Sequence, residues 1–178
     1  MKRIALALLC ALALSAAEPM RRAPGFCLID TAGQWRDLAD YRGKIVVLEF
    51  MQTTCPHCAA FVPVLTNLRQ KYGDKVAVLS VALSPDTPQA MQQFTAGHKL
   101  SYPLMLDMGQ VAVSYVRSGS INFPTVYLID ASGMIRDHWE YSPLATDIFE
   151  GGGLSRAIDK LGAGAPATAA PAPASKKK

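Results

Sequence analysis

The residues of this sequence best suited to chemistry are the four at positions 55–58, which read Cys-Pro-His-Cys. They follow an apolar run at residues 44–50 and open a segment whose apolar side chains recur at helical spacing. Pro56 would occupy the first helical position, where its missing N–H costs nothing. The positive end of the helix dipole would favour a thiolate at Cys55. Two thiols so placed can form a reversible disulfide, so the spacing predicts a redox dithiol.

The two sulfurs of this pair are expected to have different roles. Cys55, at the helix start, should be the exposed, attacking thiol, whereas Cys58, one turn inside, should be buried and less acidic. The chemistry is then thiolate attack, a mixed disulfide, and resolution by the second thiol. The alternative is a structural disulfide or two isolated thiols. A Cys-x-x-Cys between a buried strand and a helix favours the redox interpretation.

Two ionisable residues accompany the dithiol. His57 lies between the cysteines, where it can donate a hydrogen bond or place a positive charge near a Cys55 anion; this would stabilise the reduced form and make the disulfide a stronger oxidant. The alternative is an exposed turn histidine. Glu49 is the one carboxylate in an apolar strand, where burial would raise its pKa, and it is a candidate to relay the proton of Cys58. The alternative is an edge position open to solvent.

Phe123, Pro124 and Thr125 directly precede an apolar strand. A proline at a strand start cannot donate to the ladder, and in the cis form it makes a tight bend. On the residues alone, the base rate predicts a trans turn proline here. Apart from Cys10 near the N-terminus, the chain has one cysteine outside the dithiol, Cys27, which is predicted to be a small buried hydrophobic residue rather than a reactive thiol.

The two ends of the chain differ in composition from its centre. Residues 1–17 have the pattern of a secretory signal peptide: Lys2 and Arg3, an apolar run, and small residues that fit cleavage near Ala17. An uncleaved anchor is the alternative. Residues 162–178 are rich in Ala and Pro, end in three lysines, and are predicted to be a disordered tail. Residues 24–161 then form one domain.

Charge and cysteine content exclude several classes of protein. The chain carries 18 basic and 14 acidic residues, a net charge of +4, and the basic excess lies at the two ends, so no basic face for nucleic acid is predicted. Membrane contact is expected only through an uncleaved signal or the lysine tail. The chain has no second Cys-x-x-Cys that would complete a zinc site, and export favours a disulfide. We expect no metal and no cofactor.

The pattern of elements predicts an α/β domain with a mixed central sheet flanked by helices on both faces and an N-terminal β-hairpin. Strands are predicted at residues 26–30, 34–38, 44–50, 76–82, 102–107, 125–130 and 134–139. Helices are predicted at residues 56–72, ended by Gly73, at 89–96, ended by Gly97, at 110–116, and at 147–161, with a break at residues 151–153.

The active-site segment resembles that of the thioredoxin fold: Glu49, then Cys-Pro-His-Cys at residues 55–58, then Pro63. The later Phe123-Pro124-Thr125 is similar to the cis-proline element of that fold. The order of motifs over residues 24–161 resembles the exported TlpA-like branch. The resemblance implies a periplasmic thiol-disulfide oxidoreductase whose substrates are proteins with a cysteine or a disulfide, and which needs a redox-recycling partner. It also implies a cis bond at Pro124, which would hold the substrate strand next to Cys55 by backbone pairing.

The sequence departs from the TlpA-like pattern at two positions. Thr54 stands where that branch usually has Trp, and His57 stands where it usually has Pro. Cys-Pro-His-Cys with Glu49 six residues before it instead resembles the DsbA-type oxidants, although residues 84–116 are too short for their helical insertion. The resemblance therefore implies thiol-disulfide exchange and leaves its direction open.

Two other functions are compatible with the same residues. The first is a thioredoxin-fold peroxidase, although peroxiredoxins carry Pro and Thr ahead of a lone attacking cysteine, a pattern that residues 52–55 lack. The second is a copper-binding chaperone that uses Cys55, Cys58 and a histidine such as His138. Rapid peroxide consumption would support the first, and a tight copper site the second.

Overall fold

A mixed six-stranded β-sheet forms the centre of the protein in a computed structural model, which describes residues 21–116, 120–150 and 152–162. The described strands are β1 (Arg21–Arg22), β2 (Cys27–Ile29), β3 (Trp35–Asp37), β4 (Ile45–Met51), β5 (Val76–Leu83), β6 (Leu104–Asp107), β7 (Thr125–Ile129) and β8 (Met134–Glu140). The large sheet has the order β1-β8-β7-β4-β5-β6, and β2 pairs with β3 in a separate hairpin.

The neighbouring inner strands β4 and β5 consist entirely of buried residues. They pair in parallel, and β7 pairs with β4 in the antiparallel direction, so the sheet is mixed as predicted. Their runs of Val, Ile and Leu suit strands that are covered on both faces. The parallel pairing also brings the carboxyl ends of β4 and β5 to the same edge of the sheet, where the dithiol follows β4.

Helices cover both faces of the sheet. The described helices are α1 (Pro56–Tyr72), α2 (Pro88–His98), α3 (Gln110–Tyr115), α4 (Thr146–Phe149) and α5 (Gly152–Lys160). Side chains of α1, α2, α4 and α5 pack on the face that carries Val47, Met51 and Val126. Side chains of α3 pack on the opposite face, which carries Leu48 and Tyr127. The predicted three-layer α/β architecture is therefore confirmed.

Helix α1 has the predicted bounds because its end signals are local. Cys55 is its N-cap residue, Pro56 occupies the first turn, and Gly73 follows its last residue with φ of 54°. That positive φ is a conformation that glycine adopts without steric penalty. Pro63 lies in the interior of the helix. The buried side of α1 includes Leu65, which is fully inaccessible.

Helix α2 differs from the prediction, whereas the C-terminal helical segment is divided as predicted. Helix α2 does not end at Gly97; it continues to His98, and Lys99 takes the left-handed conformation with φ of 51°. Its start is set by Thr87, whose hydroxyl accepts the Ala90 N–H. The C-terminal helical segment is divided into α4 and α5. Helix α4 ends at Phe149, and α5 already begins at Gly152, so two of the three glycines lie in the first turn of α5.

Some predictions fall on residues that the structure does not describe. The signal peptide at residues 1–17 and residues 163–178 of the tail lie outside the described residues. Within the described residues, no helix combines the length and the apolar character that crossing a membrane requires.

Candidate active site

The dithiol lies where β4 ends and α1 begins, and Cys55 caps the helix with its sulfur. The Cys58 N–H donates to Cys55 Sγ at 3.3 Å, and the Cys55 N–H donates to the Gln52 carbonyl at 3.1 Å. The first N–H groups of a helix have no partner within the helix. The Cys55 sulfur therefore accepts a hydrogen bond from a backbone N–H that has no partner within the helix. A thiolate is a stronger hydrogen-bond acceptor than a thiol.

The two thiols differ in their access to solvent, in the order that the sequence predicted. Cys58 is 0% exposed, whereas Cys55 is partly exposed, and neither is in a disulfide. Burial raises the pKa of the Cys58 thiol strongly, and the Glu49 carboxylate and the hydrogen bond with Cys55 raise it further. Cys55 is therefore the thiol that another molecule can reach, and Cys58 holds its proton.

Glu49 lies inside the protein beneath the dithiol. Its side chain belongs to β4, is 2% exposed, and accepts a very short hydrogen bond from Ser80 Oγ on β5. Burial raises the pKa of Glu49 to about 7, against the lowering effect of the Ser80 hydrogen bond. Its Oε1 atom is buried without a hydrogen-bond partner among the described residues. Glu49 is thus an interior carboxylate, not a solvent-open edge residue, and it can exchange a proton near neutral pH.

The segment before β7 faces the dithiol from the other side. Cys55 Sγ donates to the Phe123 carbonyl at 3.7 Å, and the Phe123–Pro124 peptide bond is cis. The trans geometry expected from the residues alone is wrong, because the tertiary context rather than the base rate fixes the isomer. The cis bond implied by the thioredoxin resemblance is the one found. Thr125 is buried, and its hydroxyl donates to the Asn122 carbonyl at 2.5 Å.

His57 is exposed and stacks on a residue that the sequence analysis missed. The ring centroids of His57 and Tyr141 are 3.9 Å apart, with an interplanar angle of 21°. The Tyr141 N–H donates to the Pro124 carbonyl at 2.9 Å. Tyr141 directly follows β8, and nothing in its sequence spacing relates it to residues 55–58. Only the pairing of β8 with β7 brings Tyr141 to the site.

The loop after β5 binds the turn before Cys55. The Asp86 carboxylate accepts from the Thr53 N–H at 2.7 Å and from Thr53 Oγ1 at 2.6 Å. The Gln52 side-chain amide donates to the Ser84 carbonyl at 3.0 Å. Sequence analysis did not identify Asp86. A usable signal existed, because the loops that follow two parallel neighbouring strands meet at one edge of the sheet.

Two other residues of interest lie apart from this site. Cys27 is exposed on β2, so the prediction that it is a buried hydrophobic residue is wrong. Its neighbours Phe26 and Leu28 pack against the core, so the alternation of side chains leaves Cys27 facing solvent. His138 stacks on Tyr127. Tyr127 is paired with Leu48, and both lie on the face of the sheet opposite to the one that carries Glu49. This placement does not bring His138 to the dithiol.

The fold and the position of the dithiol define a protein of the thioredoxin-like class. A family model gives the finer assignment: the chain belongs to the AhpC/TSA family, whose model matches residues 19–138. Both findings agree with the family that the sequence motifs predicted.

Relatives of this chain are named as a thioredoxin-like protein and as thiol-disulfide oxidoreductases. Thioredoxin-like protein YneN of Bacillus subtilis (strain 168) is 29% identical over 119 residues, which are 66% of this chain and 68% of YneN. Thiol-disulfide oxidoreductase ResA of Bacillus thuringiensis subsp. konkukian is 31% identical over 116 residues, which are 65% of each chain. The chain therefore spans slightly less than two thirds of ResA.

A crystal structure from Chlorobium tepidum that bears the name thiol:disulfide interchange protein DsbE is also similar. It has a TM-score of 0.68 and 26% sequence identity to this chain, and the match covers 83% of this chain and 100% of that one. The similarity thus extends over the sheet and the helices on both of its faces, not only over the segment that contains the cysteines.

We expect Asp86→Ala to lower the free energy of unfolding by about 1–3 kcal/mol, because two hydrogen bonds to a carboxylate are lost and the Thr53 N–H loses its acceptor. Denaturant unfolding measures this change. Asp40→Ala, at an exposed position, is the matched control and should change the free energy by less than about 0.5 kcal/mol. Equal effects of the two substitutions would contradict a loop held by Asp86.

The pKa of Glu49 is about 7 in the native state and has the ordinary value of 4.5 in the unfolded chain. Between these values only the native state keeps the proton, so the stability of the protein should fall as pH rises from about 4.5 to about 7. Against Glu49→Gln, the wild type should lose about 3 kcal/mol across this window. Denaturant unfolding of both proteins from pH 4 to pH 8 tests this. A difference between them that does not vary with pH would show that Glu49 titrates normally.

Proposed function

We propose that the protein is a thiol-disulfide oxidoreductase that exchanges disulfides with cysteines of other proteins through Cys55 and Cys58. The observation that supports this most directly is the contrast between the two sulfurs. One is partly exposed and caps a helix, while the other is fully buried one turn away. A structural disulfide needs no such difference in access, whereas stepwise exchange with a second molecule does.

The reaction begins at Cys55. In the reduced protein, the Cys55 thiolate attacks one sulfur of a substrate disulfide; a mixed disulfide forms, and the other substrate sulfur leaves as a thiolate that takes up a proton. Cys58 then loses its proton and attacks Cys55, which releases the second substrate thiolate and leaves the Cys55–Cys58 disulfide. Two electrons pass from the protein to the substrate. Oxidation of a substrate dithiol is the same sequence in reverse.

Glu49 accepts the proton of Cys58 in the second step. Burial makes ionisation of Cys58 unfavourable, so resolution needs a base close to that sulfur. Glu49 is the buried carboxylate whose charge acts on Cys58, and its pKa of about 7 suits both uptake and release of a proton near neutral pH. Water or a substrate thiolate can receive the proton afterwards.

Phe123, Pro124 and Thr125 form the substrate-binding segment. The Phe123 carbonyl lies 3.7 Å from Cys55 Sγ, so a substrate sulfur bonded to Cys55 would lie beside this segment. An extended substrate chain would pair with its backbone, and side-chain pockets would add specificity. His57 stabilises the Cys55 thiolate. Because this thiolate exists only in the reduced protein, His57 favours the reduced form.

The reduction potential determines the direction of exchange. A value near about −120 mV would identify an oxidant of substrate dithiols, and a value near about −270 mV a reductant of substrate disulfides. In either case a redox-recycling partner must restore the dithiol or the disulfide after each turnover. Equilibration with glutathione gives this potential.

We further propose that the protein acts outside the cytoplasm, in the periplasm. The support is the pattern of residues 1–17, which has a basic start, an apolar run and small residues before Glu18. A disulfide between Cys55 and Cys58 would persist in such a compartment. The domain at residues 24–161 would then be the mature functional unit, followed by the tail at residues 162–178.

In Cys58→Ala, mixed disulfides with substrate should accumulate, because the thiol that resolves them is absent. In Cys55→Ala they should not accumulate, because Cys58 is buried. The measurement is non-reducing electrophoresis and mass spectrometry after reaction with a disulfide-bonded peptide. Cys27→Ala is the matched control and should leave turnover of the peptide unchanged. Equal trapping by the two dithiol variants would contradict the assigned roles.

Glu49→Gln should slow resolution more than first attack, because glutamine cannot take the Cys58 proton while Cys55 keeps its helix cap. A loss of about 10²-fold in the resolving step is expected for a general base. Stopped-flow fluorescence of the two phases measures both rates, and Glu150→Gln, at an exposed position, is the control. Equal slowing of both phases would argue for a purely structural role.

The same protein preparations distinguish the alternatives. A thioredoxin-fold peroxidase would consume hydrogen peroxide rapidly in its reduced form, and a copper chaperone would bind one equivalent of copper tightly. Neither property follows from the exchange mechanism.

A further inference from the structure

We propose that Tyr141 is a positioning residue for the dithiol: its ring holds His57 at the start of α1 and thereby shifts the redox equilibrium of Cys55 and Cys58. The inference rests on the proposed function, and specifically on the action of His57 on the Cys55 thiolate. It assigns a role to a residue that lies 84 positions beyond His57 in the chain.

The contact between the two rings is close and nearly parallel. Their centroids are 3.9 Å apart and their planes differ by 21°. His57 is exposed on the first turn of α1, so without this contact its side chain would be free to sample several rotamers. Stacking on an aromatic ring favours the rotamer that brings the two faces together. Tyr141 therefore restricts where the imidazole lies.

Tyr141 is itself fixed by the core. Its N–H donates to the Pro124 carbonyl at 2.9 Å, and its ring packs on Phe149 with centroids 5.5 Å apart. Phe149 in turn packs on Phe61 of α1 at 5.3 Å, and both of these phenylalanines are buried. A ring fixed through the backbone and through this aromatic contact can hold an exposed neighbour without moving itself.

Tyr141 connects the two sides of the active site. Through His57 it contacts the helix turn that carries both cysteines, and through the Pro124 carbonyl it contacts the segment that faces Cys55. A group that acts on the Cys55 thiolate acts on the reduced protein alone, because the disulfide carries no thiolate. Tyr141 therefore affects the equilibrium only through the position that it gives His57, whose action on the thiolate favours the dithiol over the disulfide.

The test is the equilibrium of the protein with glutathione, in which protein disulfide and two reduced glutathione molecules give protein dithiol and one oxidised glutathione. Tyr141→Leu should lower the constant for this reaction by about threefold, or about 14 mV, because His57 is released. Tyr141→Phe keeps the ring and should stay near the wild-type value. His98→Ala, which removes a histidine packed on Phe94 at 4.3 Å in α2, should also leave it unchanged.

A double substitution separates this role from a merely structural one. In a His57→Ala background, Tyr141→Leu should cause no further change in the constant. An equal drop in both backgrounds, or a drop in Tyr141→Phe as large as that in Tyr141→Leu, overturns the inference and leaves the exchange function intact. If His57→Ala alone has no effect, the role of His57 fails, and with it this inference. If the wild type does not exchange with glutathione, the proposed function fails.

A second measurement does not depend on the folding of Tyr141→Leu. In the wild-type protein, NMR should show nuclear Overhauser effects between the ring protons of His57 and Tyr141, and an upfield ring-current shift of the His57 ring protons. Tyr141→Phe should retain both signals. Their absence from the reduced wild-type protein would show that the rings do not stack in solution and would overturn the proposal.

Discussion

The hydrogen bond from the Cys58 N–H to the Cys55 sulfur is the interaction on which the site depends. It exists because a helix start presents backbone donors that have no acceptor within the helix, and because Cys55 occupies the capping position. That position is fixed by β4, whose residues are all buried and whose end sets where α1 can begin. The position of the capping sulfur therefore follows from the packing of the sheet, and the reactivity of that sulfur follows from its place at the helix start.

The remainder of the site maintains an electrostatic difference between two neighbouring sulfurs. Cys55 has a backbone donor and access to solvent. Cys58 is enclosed, and burial together with the Glu49 carboxylate opposes its ionisation. Glu49 is subject to the same low polarity, which raises its pKa to about 7. Glu49 and Cys58 are both buried, and the interior disfavours two negative charges at short range. At least one of the two groups therefore keeps its proton.

Local sequence signals predicted most strands and helices of the fold. The features that they did not predict depend on contacts between residues that are far apart in the chain. The bounds of α1 follow from Pro56 and Gly73, which are read within a few residues of each end. Tyr141 reaches His57 only because two strands pair, and no periodicity in the sequence carries that information. The isomer at Pro124 is likewise a tertiary property, so the residues alone indicated the commoner form and the family resemblance indicated the observed one. Cys27 is exposed because side chains alternate along β2: Leu28 packs against the core and Cys27 faces solvent, an orientation that the residue type alone does not reveal.

The segments that meet at the dithiol differ in what they fix. The Asp86 loop holds the turn before Cys55 through two hydrogen bonds that do not involve a sulfur, so these contacts can persist in both redox states. The helix cap acts on the Cys55 sulfur itself, and its strength changes when a thiolate becomes a disulfide. A contact present in both states adds to the stability of the fold and leaves the reduction potential unchanged. A contact that is stronger with the thiolate stabilises the reduced protein alone, and by linkage it makes the disulfide a stronger oxidant.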